Sequence, residues 1–183
     1  EHAPQADPWT LAFLMRELEL TEQDVYELPA ELDYTDLRVI ADLELPRLKY
    51  PPWSPVIPAR LADDEADIFS VIRAGDLLVH HPYESFADSV ERFIRTAAAD
   101  PKVLAIKVTL YRVGDSRALM DSLIRAAEGG KQVICMVELK ARFDEQRNIY
   151  WAQQLEHAGV HVFYGIVGLK THTKLALVVR QEA

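Results

Sequence analysis

A single cysteine, Cys135, leaves this chain without an intrachain disulfide framework or a thiolate metal cluster. Its surroundings, QVICMVEL, read as a buried strand, so the expected role is a small core residue rather than a catalytic thiol. No apolar run approaches the roughly 20 residues of a membrane-spanning helix. The start, EHAPQADPWT, carries neither a basic nor an apolar targeting segment. These absences point to a cytosolic setting, compatible with peripheral membrane association. The GxxxxGK[ST] pattern is missing, which excludes a P-loop. Trp9, Trp53 and Trp151 are not interleaved with basic residues, so no nucleic-acid partner is expected.

What is present suits an ordinary folded protein. The 183 residues are 49% hydrophobic and 27% charged, enough apolar surface for one well-packed domain with a helical appendage. The formal charge of -9 is unevenly spread. Residues 1–100 hold 8 Lys+Arg against 21 Asp+Glu, and residues 101–183 hold 12 against 8. An acidic half joined to a mildly basic half can hold anions locally whatever the total.

The chain divides into segments by pattern. WTLAFLMREL (9–18) spaces apolar residues helically, TEQDVYEL follows with Thr21 and Asp24 in capping-box positions, and YTDLRVIADL continues the helical reading. Residues 46–58 contain five of the ten prolines and suit neither helix nor central strand. The expected organisation is a helical segment with a Pro-rich linker over 1–58 and an α/β domain over 59–183. Within the latter, Ser85 and Asp88 open a helix, and VLAIKVTL (103–110) and QVICMVEL (132–139) read as strands. SRALMDSLIRAAEGG and DEQRNIYWAQQLEHAG read as helices ended by glycine, and VHVFYG and KLALVV close the series. Alternating strands and helices predict a mostly parallel sheet flanked by helices.

Such sheets bind ligands beyond the carboxyl ends of their strands. Arg112 follows the first strand, Arg142 follows the second, and His172 lies a further 30 residues on, as Arg142 does from Arg112. Two arginines with Lys170, Lys174 and His172 at one rim would make a phosphate site with a nucleophile inside it. An alternative reading pairs Arg112 and Arg142 with Asp115 and Asp144 and leaves His172 merely starting a strand. Spacing alone leaves both open.

Other candidates are weaker. His80 and His81 are adjacent, so in a strand they point to opposite faces, one packed and one exposed, rather than sharing a metal. His157 and His161 suit polar surface roles. Glu138, Asp144 and Glu145 could reach Mg²⁺ through water, but carboxylates near such a rim more often balance arginines.

Read together and in order, DLLVHHPYESF, AIKVTLYRVGDS, VELKARFDEQRNI, LEHAGVHVFYG and GLKTHTKLALVVR closely resemble the type 1 polyphosphate kinase family, whose catalytic core looks like a phospholipase D fold. The resemblance covers at least residues 68–182. It implies reversible transfer of the terminal phosphate of ATP to polyphosphate, leaving ADP, with Mg²⁺ and through a phosphohistidine at His172. Lys174 would be the His-x-Lys partner and Lys170 a nearby cation. Arg112 and Arg142 match the family arginines of the Mg²⁺-phosphate site. Guanidinium has no acceptor, so these would hold phosphate oxygens that share the metal.

Phospholipase D-type phosphodiesterases carry Asp where this chain has Val179, which weighs against diester hydrolysis; an anion-binding module without turnover is the other alternative. The chain resembles an internal fragment whose second half, bringing another catalytic histidine and much of the nucleotide pocket, lies elsewhere. Little turnover is therefore expected of it alone, and homo-oligomerisation is expected of the full-length protein.

Overall fold

The computed structural model describes residues 1–29, 34–112, 117–141, 144–166 and 168–182. It resolves into two compact units, Glu1–Pro52 and Trp53–Ala183.

In the first unit, α1 spans Pro8–Glu17. Pro8 fits the first helical position because its missing N–H would have no helical partner there. Asp7 caps the helix, its Oδ2 accepting from the Thr10 N–H at 2.8 Å and the Thr10 hydroxyl at 2.7 Å. The Thr21–Asp24 pair forms as its spacing predicts, with the Thr21 N–H and hydroxyl both donating to Asp24 Oδ2. It opens only a 3₁₀ turn at Glu22–Asp24. The helical reading of 34–43 likewise contracts to a 3₁₀ turn at Tyr34–Leu37 running into the four-residue α2, Arg38–Ala41. Neither α1 nor α2 buries a residue.

The second unit begins inside the proline segment. Val56 bridges to Glu84, its N–H donating to the Tyr83 carbonyl while its own carbonyl accepts from Ser85, and the Trp53 indole donates to the Pro82 carbonyl. Then α3, Ile68–Arg73, starts at Asp67, whose carboxylate accepts from the Phe69 and Ser70 N–H groups. The Ser85 hydroxyl accepts from the Asp88 N–H, and a π-turn at Ala87–Glu91 leads into α4, Arg92–Ala99. Arg92 is buried; its guanidinium donates to the carbonyls of Leu61, Asp63, Asp64 and Ala66, ordering an acidic loop that has no ladder to bind it.

There follow β1 (Val103–Leu110), α5 (Arg117–Glu128), β2 (Gln132–Val137), α6 (Glu145–His157), β3 (His161–Phe163) and β4 (Ala176–Arg180). The sheet order is β3-β2-β1-β4, with β1, β2 and β3 parallel and β4 antiparallel to β1. The expected mostly parallel sheet is thus present. Ile106, Val108 and Leu110 of β1 and Val133, Cys135 and Val137 of β2 share the core with Met120 and Leu123 of α5, Ile94 of α4 and Leu155 of α6. Burial pushes the Cys135 thiol up to about 12, which suits a packing residue and not a nucleophile. The opposite side of the pleat pairs Lys107 with Leu177 and Ala105 with Val179. Lys107, Leu177 and Val179 are exposed.

Candidate active site

Because β1 and β2 run parallel, their carboxyl ends reach the same rim, and the residues just past them become neighbours. Tyr111 and Arg112 follow β1; Glu138, Leu139 and Lys140 follow β2. One side chain of α6 spans both ends: the buried Asn148 amide nitrogen donates to the Tyr111 carbonyl at 2.8 Å and to the Glu138 carbonyl at 2.9 Å.

The loop that carries His172 is pinned on either side of it. Glu138, buried at the end of β2, accepts from the Lys140 N–H at 3.0 Å and from the Thr171 N–H at 2.8 Å, one bond per carboxylate oxygen. Those two backbone bonds, Lys140 first, hold its carboxyl below the usual range, with the Lys170 and Lys140 charges adding to the effect. On the other side, the Thr109 hydroxyl donates to the Thr173 carbonyl at 2.6 Å and accepts from the Leu175 N–H at 2.8 Å. His172 itself remains exposed. It does not start a strand, since β4 begins only at Ala176. Its proximity to Lys174 therefore comes from the loop's own bonds: the Lys174 ammonium donates to the His172 carbonyl at 2.5 Å.

The expected cations gather around one aromatic ring. The His172 imidazole meets the Tyr111 ring edge-on at 4.5 Å between centroids. Lys174 Nζ lies 4.3 Å, Lys170 Nζ 5.5 Å and Arg112 Cζ 5.7 Å from the Tyr111 centroid. Lys170 also donates to the Lys140 carbonyl at 3.3 Å. Arg112 Nε stands 3.6 Å from Asp144 Oδ2, and Arg147 approaches the other oxygen of that carboxylate. Arg112 is half exposed, and an ion pair there is weak enough to yield to a competing phosphate. Arg142 lies outside the described residues, as does Asp115.

Beside this cluster opens an apolar cavity of about 880 Å³, walled by residues such as Ile72, Phe86, Phe93 and Leu119 and reaching Tyr111, Arg112, His172 and Lys174 at its polar end. The remaining histidines do not join it as metal ligands. His80 and His81 are both exposed, with their rings against Tyr83 and Phe86, and His157 and His161 lie on the surface. Among the described residues no three His, Cys, Asp or Glu side chains converge on a metal position.

Tyr111, Thr109 and Asn148 escaped the sequence reading. Asn148 left a signal: it shares one helical stripe with Ala152 and Leu155, and a polar residue on a buried stripe must find partners. Glu138, a candidate Mg²⁺ carboxylate by sequence, instead holds backbone N–H groups.

Residues 67–183 match the family model described as polyphosphate kinase C-terminal domain 1. The chain is 56% identical over 174 residues to a polyphosphate kinase of Mycobacterium avium (strain 104), covering 94% of this chain and 24% of that protein. Against a Streptomyces coelicolor polyphosphate kinase it is 53% identical over 180 residues, covering 96% and 24%. A solved structure, the polyphosphate kinase from Porphyromonas gingivalis, superposes with a TM-score of 0.68 at 28% identity, covering 98% of this chain and 27% of that one. The chain spans about a quarter of the length of the curated relatives it matches.

Proposed function

The chain belongs to the polyphosphate kinase family, and we propose that its α/β unit carries a phosphohistidine half-site for ATP:polyphosphate phosphotransfer. The observation that supports this reading is the convergence of His172, Lys170, Lys174 and Arg112 on Tyr111 at the rim of a parallel sheet. A neutral imidazole nitrogen of His172 attacks the terminal phosphorus of ATP. The bond to the bridging oxygen breaks, ADP leaves with its electron pair, and a phosphorus–nitrogen bond remains. The terminal oxygen of a polyphosphate chain then attacks the same phosphorus, releasing His172 and lengthening the chain by one phosphate. The reverse sequence regenerates ATP.

The transferred group spreads its charge over three equatorial oxygens, and catalysis rests on placing donors around them. Lys170 and Lys174 supply ammonium groups, and Arg112 supplies a planar fork once phosphate draws it from Asp144. Arg142 is assigned the same task from its motif alone. The described residues do not fit a protein-held Mg²⁺: Glu138 is engaged by two N–H groups and Asp144 by two arginines. Mg²⁺ is accordingly assigned to the phosphates of the nucleotide, and no step is routed through it.

Sustained synthesis belongs, on this reading, to the longer protein, and the first transfer to this segment. No helix of the described residues is long and apolar enough to cross a membrane. Incubation with Mg²⁺ and terminally labelled ATP or labelled polyphosphate, of the chain alone and together with the C-terminal portion of the longer protein, should leave acid-labile, alkali-stable phosphate on the chain, and none on His172→Ala. Anion binding that survives His172→Ala, with no covalent label in any chain, would instead make this a binding module.

A further inference from the structure

Three cationic side chains and the proposed nucleophile share one neighbour. Lys174, Lys170 and Arg112 place their charged groups 4.3, 5.5 and 5.7 Å from the Tyr111 centroid, and the His172 ring packs against it at 4.5 Å. Like charges gathered at one point repel; Asp144 offsets Arg112 and the Glu138 carboxylate acts on Lys170, and the ring that all three cations share adds a further attraction. The face of an aromatic ring is electron-rich and attracts cations within about 6 Å of its centroid. We propose that Tyr111 is a positioning residue, whose ring keeps Lys170, Lys174 and Arg112 gathered and sets the plane of the His172 imidazole. This rests on the phosphotransfer reading of the same cluster.

The ring is itself well placed to act as a fixed support. Tyr111 directly follows β1, its carbonyl is held by Asn148, and its side chain is partly buried beside the apolar cavity. In the described contacts each lysine uses one ammonium N–H on a backbone carbonyl, Lys174 on His172 and Lys170 on Lys140. An ammonium has three donors, so the geometry leaves N–H groups to turn toward an anion. The phenol hydroxyl has no part in this: the ring face alone carries the effect. A residue that merely packed would be replaced by leucine without consequence for anion binding.

The test compares the chain with Tyr111→Phe and Tyr111→Leu, using inorganic triphosphate as the probe. Calorimetry gives the affinity, thermal unfolding checks the fold, and proton NMR reads the Lys174 and Lys170 methylenes next to nitrogen, which a ring face shifts upfield. Wild type and Tyr111→Phe should show the upfield shifts and bind within about threefold of each other. Tyr111→Leu should lose the shifts and bind about tenfold more weakly, the scale of one or two cation–π contacts, at an unchanged unfolding midpoint.

Leucine binding like wild type, phenylalanine as weak as leucine, or a leucine loss that follows a fallen midpoint would each overturn the proposal. Wild type that binds triphosphate without ring-shifted lysines overturns the ring's role alone. Wild type that shows the shifts and binds no triphosphate overturns the phosphate-site reading beneath it.

Discussion

The two units of the chain treat similar local patterns differently. In Glu1–Pro52, α1 has a capping carboxylate, a proline at its first position and apolar residues at helical spacing, yet buries nothing; Trp9 stays 72% exposed. In Trp53–Ala183, α5 has apolar residues at the same helical spacing and buries Met120, Leu123 and Ala126 in the core shared with the sheet. Capping decides where a helix begins, whereas burial decides how much tertiary stability the helix carries. The contrast makes the second unit the one whose geometry a functional rim can rely on.

The comparison breaks most visibly at fully buried side chains. Leu155→Ala should lower the unfolding free energy by about 2–5 kcal/mol, while Leu14→Ala on α1, 46% exposed, should change it by no more than about 0.5 kcal/mol. Urea titration of both variants measures the difference, and equal losses would erase the distinction between the units. Arg92→Met comes next, because it strands carbonyls that the guanidinium now satisfies. A loss of about 2–3 kcal/mol is expected, from one or two buried acceptors left without partners.

Glu138→Gln should act more locally. Its amide offers one acceptor oxygen where the carboxylate offers two, so one of the Lys140 and Thr171 N–H bonds is lost. Hydrogen exchange at whichever of these amides loses its bond should quicken about tenfold, the equivalent of one bond of roughly 1.4 kcal/mol, while the Cys135 amide in β2 stays protected. Uniform acceleration would mean that Glu138 supports the whole unit rather than the loop.

The smallest effect is a matter of pH. Bonds from Ser70 and the first-turn N–H groups hold the Asp67 carboxyl below its ordinary value of 3.8, as the Lys140 and Thr171 N–H groups hold Glu138 below 4.5. Both carboxyls bind protons less readily folded than unfolded. Their stabilisation is therefore in place above those values and declines as pH falls through and below them. Denaturation midpoints between pH 6 and pH 2.5 should show less acid sensitivity in a Glu138→Gln, Asp67→Asn double variant than in wild type; parallel curves would remove these two groups from the acid response.

The sequence made the alternation of β1, α5, β2 and α6 readable because each combines a clear period with glycine or turn residues at its end. Direction was less accessible. KLALVV shows that a strand exists but not which way it pairs, and β4 lies antiparallel at the sheet edge. In the acidic half, the capping box at Thr21 and Asp24 and the helical pattern of 34–43 suggested longer helices than the 3₁₀ turn at Glu22–Asp24 and the short run over 34–41 that form, since such signals record where a helix could start and not whether anything covers it. Of the site, the residues with obvious chemistry were legible: His172, Lys170, Lys174 and Arg112 do come together. What escaped were Tyr111 and Thr109 and the true task of Glu138, because these groups hold the loop through a ring and through backbone bonds across 33 to 66 residues of chain, and such contacts leave no local period. Arg142 stands outside the described residues, so its part in the cluster rests on its motif.

Asn148 carries one further implication. A single amide nitrogen meets the carbonyls at the ends of both β1 and β2, at 2.8 and 2.9 Å. The opening between those strand ends is consequently gauged by the length of one side chain. Aspartate, matching the shape but facing both oxygens with a third, would force them apart. Glutamine, one methylene longer, would meet them at a different height or displace α6. The tolerance of the rim to changes in its own width can thus be calibrated at a residue that need never touch a substrate.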